Sequence, residues 1–238
     1  MNNMKIRNKN LALYLGFKLK KIGDEFTVEE LSELKELAIN QLNDFGEYEE
    51  VDIEVLDNVP NVETLTFRNY RVTDELIERI KKLKNLKSIM FERCLIDDFD
   101  KIGELDVEHL SITKNCNLRT DFLRGKTKYK SLFLTDSDLI DIENLKGMDN
   151  LETLYISNSD VKNPEDIGTL GNVSVLHIEN TNIEDISFMR DMEKLRSVGI
   201  DKRLYISCND VVNELEDRNV EFLENGFIPL TESKEAKM

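Results

Sequence analysis

Two stretches, LETLYISNSDV (151–161) and VSVLHIENTNI (173–183), carry their apolar side chains at the same offsets. If the first apolar residue is position 1, both stretches are apolar at positions 1, 4, 6 and 11, with a small polar residue at position 9. The spacing extends in both directions. Units begin at Leu34, Val62, Leu86, Val107, Tyr129, Leu151, Val173 and Leu195, and the start-to-start intervals are 28, 24, 21, 22, 22, 22 and 22. Around positions 4 and 6 the alternation has the period of a short strand, so positions 3, 5 and 7 face the other way. One such unit cannot bury its apolar edge alone. Stacked units share one core and one parallel sheet, and this period therefore dictates a solenoid.

The pattern resembles the leucine-rich-repeat family, most closely the bacterial 22-residue type of internalin-like proteins, over residues 26–206. The resemblance implies an α/β solenoid: a right-handed superhelix of about eight repeats, with a parallel concave sheet and a helical or 3-10 convex side. It also implies that position 9 satisfies backbone groups where the chain turns inward. Cys94, Asn115, Ser137, Ser159 and Thr181 occupy that place, and Leu42 and Tyr70 depart from it.

A solenoid must cover its two apolar ends. Leu11, Leu15, Leu19 and Ile22 form a helical stripe near the start, and Thr27 with Glu30 makes a capping-box pattern ahead of a second helical run. The expected organisation is an N-terminal helical cap over 1–33, leucine-rich repeats over 34–206, a C-terminal cap over 207–225 and a loose tail over 226–238. RLYIS (203–207) reads as the last strand, with Val211, Val212 and Leu215 covering the final coil and Val220 and Phe222 as further candidates. TDELIERIKKLKN fits a true convex helix, whereas later units such as LIDIENLKGMDN have room only for tighter turns.

Position 5 runs Ala38, Thr66, Met90, Ser111, Phe133, Tyr155, His177, Gly199. On a parallel sheet these stand about 4.8 Å apart, so Phe133, Tyr155 and His177 are expected to form an outward ridge. Thr135, Ser157 and Glu179 flank it at position 7, and Met90, His109 and Arg68 extend the face. Aromatic anchors ringed by small polar groups have the composition of protein-binding hot spots. A second candidate is the acid-dense insert of the first unit, with Asp44, Glu47, Glu49, Glu50, Asp52, Glu54 and Asp57 and no lysine or arginine across 43–61.

Charge narrows the partners. The chain is −16 overall, and positions 1–21 hold six positive charges and no acid, which leaves −22 for the rest. Such a body repels nucleic acid, whose binding depends on basic groups, and favours a partner with a basic surface. Three scattered cysteines suit neither a disulfide framework nor a zinc site. His109 and His177, three coils apart at roughly 14 Å, are too distant to share a metal ion. The acids of DDFD (97–100) lack the glycine and terminal glutamate of a calcium loop.

The sequence is therefore read as a non-enzymatic, monomeric, cytoplasmic protein-interaction module, without cofactor, metal or membrane contact, that binds a protein partner on its concave face. The alternative is an acidic inhibitor, of the immunity or phage anti-defence type, that blocks the basic groove of a nucleic-acid-processing enzyme. Surface adhesion in the internalin manner is disfavoured, because no cleavage site follows the basic start and no wall anchor is evident.

Overall fold

In a computed structural model, residues 3–42, 46, 50–224 and 228–229 are described. The chain divides into two compact units, 1–111 and 112–238.

The first unit opens with β1 (Asn3–Lys5), α1 (Lys9–Leu19), β2 (Glu25–Thr27) and α2 (Val28–Ser32). β1 and β2 pair antiparallel, and α1 is looped out between them. Asn8 caps α1 by accepting the Leu11 N–H. At the start of α2 the Thr27 hydroxyl accepts the Glu30 N–H while the Glu30 carboxylate accepts the Thr27 N–H, so two otherwise unpaired helix-end donors are satisfied. The ladder then begins with β3 (Glu36–Asn40), followed by β4 (Thr64–Arg68), the short β5 (Arg71–Val72), α3 (Asp74–Ile80), β6 (Ser88–Glu92), β7 (Leu95–Ile96) and α4 (Phe99–Gly103). β3, β4 and β6 pair in parallel, with Leu37, Leu65 and Ile89 in one row and Ile39, Phe67 and Phe91 in another. All six are buried. α3 is the convex helix, capped by Thr73, and it buries Leu76, Ile77 and Ile80.

The next strand, β8 (His109–Thr113), spans the division. In the second unit follow β9 (Ser131–Phe133), β10 (Leu139–Asp141), β11 (Thr153–Tyr155), β12 (Asp160–Lys162), β13 (Val175–His177), β14 (Ser197–Gly199), α5 (Lys202–Ser207), α6 (Asn209–Asp217), β15 (Glu221–Glu224) and β16 (Ile228–Pro229). Strands β9, β11, β13, β14 and β15 run parallel in that order, and Leu132, Leu154, Leu176, Val198 and Phe222 line up across them. All five are 0% exposed. The convex side holds 3-10 turns, Ile142–Leu145 and Pro164–Thr169 among them.

Two devices recur along the coils. Position 8 adopts the left-handed conformation at Asn69, Arg93, Lys114, Asp136, Asn158 and Asn180, with φ between 52° and 57°. Next to it, position 9 turns inward: Ser137, Ser159 and Thr181 donate their hydroxyls to the carbonyls of Thr135, Ser157 and Ile178. Cys94 serves the same purpose with its thiol, 3.5 Å from the Glu92 carbonyl.

Four expectations need correction. RLYIS is helical, not a strand. A strand would place Leu204 and Ile206 on one face, but the helix turns Leu204, Tyr205 and Cys208 inward and leaves Ile206 exposed. The ladder's next strand is β15, beyond the residue-206 limit expected for the repeats, and within the 226–238 segment read as a loose tail Ile228–Pro229 pairs antiparallel with β15. The Leu11–Ile22 stripe also breaks: α1 ends at Leu19, Lys20 turns left-handed, and Ile22 is fully exposed.

Candidate functional site

In the second unit the parallel register puts Phe133, Tyr155, His177 and Gly199 side by side. The rings form a continuous stack. Phe133 and Tyr155 are 4.6 Å apart between centroids and tilted by 29°, and Tyr155 and His177 are 3.9 Å apart and tilted by 9°. Phe133 and Tyr155 are half-exposed, as are their neighbours Thr135 and Ser157.

His177 does not join them at the surface, which corrects the expected outward ridge. His177 and Glu179 are buried, at 3% and 6% exposure. The cause lies one strand further on. Gly199 offers no side chain, and a Cβ there would fall 2.2 Å from both His177 Nδ1 and Glu179 Oε1. Into that space Glu179 folds back, with Oε1 3.1 Å from His177 Nδ1 and Oε2 accepting the Ser157 hydroxyl at 2.5 Å. Burial alone would push the Glu179 carboxyl up. The hydrogen bonds from His177 and Ser157 outweigh it and hold the group below the usual carboxylate range. The imidazole thus backs the Tyr155 ring, and the carboxylate fixes the imidazole.

In the first unit Met90 is half-buried, in register with Thr66. Arg68 is exposed, but its Nε donates to Glu92 at 2.8 Å, across the β4–β6 register. His109 is half-exposed, with Nε2 4.0 Å from Glu108.

Of the acidic segment, Asp44, Glu47 and Glu49 lie outside the described residues. Glu50 and Glu54 are exposed. Asp52 is not a surface acid: it is buried and accepts the N–H groups of Arg7 and Asn8, at 2.8 and 2.9 Å, and the Arg7 guanidinium at 2.9 Å. Asp57 pairs with Arg79 and lies 3.7 Å from Lys82.

Among the described residues no three His, Cys, Asp or Glu side chains converge as a metal site, and no helix is long and apolar enough to cross a membrane. Burial pushes the Cys94 thiol up to about 11, which keeps it protonated and unreactive at neutral pH.

A parallel ladder with helical and 3-10 returns and this side-chain code defines a leucine-rich-repeat fold of the internalin-like kind. No family model and no curated protein matches the chain. It is similar in fold to solved structures, bacterial ones among them. Internalin C2 of Listeria monocytogenes is 18% identical, with a TM-score of 0.59 over 82% of this chain and 94% of that one. Internalin F of the same organism is 14% identical, with a TM-score of 0.53 over 91% of this chain and 88% of that one. Listeria monocytogenes InlP is 14% identical at a TM-score of 0.52, over 82% of this chain and 64% of that one.

Proposed function

We propose that this chain is a non-enzymatic protein-interaction module whose strand face, centred on Phe133 and Tyr155, grips a protein partner. The observation that carries this reading is the Phe133–Tyr155–His177 stack. Two half-exposed rings stand on a parallel sheet, and the third is locked beneath by Glu179. Rings fixed in this way lose little conformational freedom on binding, so more of their contact energy appears as affinity. Thr135 and Ser157 beside them supply a polar rim.

The acidic-inhibitor reading draws less support. Asp52 is buried and Asp57, though exposed, pairs with Arg79, so Glu50 and Glu54 are the remaining exposed acids of that segment among its described residues.

A photo-crosslinking residue at Thr135 tests the ridge in lysate of the native cell, with one at Asp160, on the separate β10–β12 pair, as control. Adducts are expected from position 135, not from 160, and are expected to disappear in the Phe133→Ala, Tyr155→Ala background while the melting transition remains cooperative. Unchanged adducts in that background would refute the ridge as the binding surface.

A further inference from the structure

Among the described residues, three of the most exposed large apolar side chains belong to one short stretch: Leu13 at 72%, Phe17 at 82% and Ile22 at 102% exposure. Scattered exposed apolar residues need no explanation, but a contiguous cluster marks an interaction site. Here the three line one groove of about 680 Å³. Leu13 and Phe17 are one helical turn apart on the side of α1 away from buried Leu11 and Leu15. Ile22 joins them because the chain folds back. Lys20 is left-handed, with φ 54°, and the Lys21 N–H bonds to the Gly16 carbonyl at 2.9 Å. Gly16 permits this closeness, since a Cβ there would sit 2.6 Å from the Lys21 carbonyl oxygen.

The charge around the groove is opposite to that of the chain. Lys18, Lys20 and Lys21 line it and no acid does, although the protein carries 48 acids against 32 lysines and arginines. Lys18 and Lys21 have ion-pair partners in Glu36 and Glu30. Lys20, at the turn, has none among the described residues.

We infer that this groove is a second docking site, separate from the proposed ridge, for an acidic amphipathic segment of a partner protein. Apolar side chains of that segment would fill the space between Leu13, Phe17 and Ile22, and its carboxylates would meet the lysine rim. A concave apolar floor with a basic edge suits a peptide helix laid in a groove. A bilayer surface is the poorer fit, because the three side chains converge on one cavity instead of forming a flat apolar plane.

The test is selection of random peptides on the full-length protein, with counter-selection on a Leu13→Gln, Phe17→Gln, Ile22→Gln variant. These side chains pack on nothing that folding needs, and circular dichroism melting verifies that the variant is intact. Peptides retained by the wild type are expected to combine apolar residues at helical spacing with Asp and Glu, to lose about tenfold or more in affinity on the variant, and to weaken on Lys20→Glu. Pools that are basic or uncharged, or that bind wild type and variant equally, would overturn the inference. So would phosphatidylglycerol vesicles that bind the wild type but not the variant while no acidic peptide is selected, or sedimentation showing a self-associated wild type and a monomeric variant.

Discussion

Nδ1 of His177 lies 3.1 Å from Oε1 of Glu179, in the space that Gly199 leaves on the neighbouring strand. That space sets the depth of the aromatic stack. With any larger residue at 199, the imidazole and carboxylate would have to move outward or the strands part. Gly199→Ala is therefore expected to destabilise the protein by about 1–3 kcal/mol, the usual cost of overpacking a filled interior. Gly171→Ala is the control. A Cβ there meets nothing within 4 Å, and the change should be neutral or stabilising by up to about 1 kcal/mol. Urea midpoints of the two variants decide the matter, and equal midpoints would contradict the packing argument.

The same pair predicts a pH dependence. Glu179 is held below its ordinary range in the folded state by His177 and Ser157, against the opposing effect of burial. Its folded pKa is thus lower than the unfolded value of about 4.3. The contribution is fully present above that value and is lost as pH falls through the folded pKa. Glu179→Gln should cost about 1–2 kcal/mol at neutral pH, as a charge-assisted bond gives way to a neutral one. The gap to the wild type should close as the pH falls below about 4. Denaturation curves from pH 7 to pH 3 check this, and a constant gap would contradict it.

Row alignment was legible in the sequence because one interval, repeated from unit to unit, fixed it: Tyr155 pairs with both Phe133 and His177 in the register that the repeat implies. Depth was not. Whether a ring at position 5 reaches solvent depends on the residue beside it on the next strand, and there the deciding feature was the missing side chain of Gly199. The helix at Lys202–Ser207 was hidden because a short apolar alternation suits both periods, and only the burial of Leu204, Tyr205 and Cys208 separates them. The anchoring of Asp52 by Arg7 and Asn8 joins positions far apart in the chain with no periodic signal between them. One local signal of the corner does lie in the sequence: Asn or Asp stands at position 8 in Asn69, Asp136, Asn158 and Asn180, all left-handed.

Arg93 occupies that same left-handed corner, with φ 52°. A side chain other than Asn or Asp costs about 1–2 kcal/mol in this conformation, and the exposed Arg93 side chain makes no hydrogen bond or ion pair among the described residues that would offset it. Arg93→Asn is expected to stabilise the protein by about 0.5–1 kcal/mol, because short amide side chains tolerate the corner. The reverse change at a matching corner, Asn158→Arg, should destabilise by a similar or larger amount, since it also removes the amide that accepts from Asn180 at 2.9 Å. A rise in urea midpoint for the first and a fall for the second would bear this out. A fall in both would show that Arg93 is held by contacts stronger than the backbone preference.

Asp52 fastens the N-terminal segment to the first coil, and its loss should be felt there before it is felt in the ladder. The buried carboxylate accepts two backbone N–H groups and one guanidinium. Burial raises its pKa, but the Asn8 N–H, the Arg7 guanidinium and the Arg7 N–H together bring it below the usual range. Asp52→Ala would orphan the Asn8 N–H in a buried setting and should cost about 2–3 kcal/mol. Because the folded pKa is the lower one, this stabilisation is complete above the unfolded value of about 3.9 and fades as acid is added. Hydrogen exchange locates the effect. In Asp52→Ala the amides of Arg7, Asn8 and the first turn of α1 should lose protection, while those of β11 and β13 keep theirs. The same local loss should appear in the wild type at low pH. Uniform loss along the whole chain would mean that the cap and the ladder unfold as a single cooperative unit, and that Asp52 supports both.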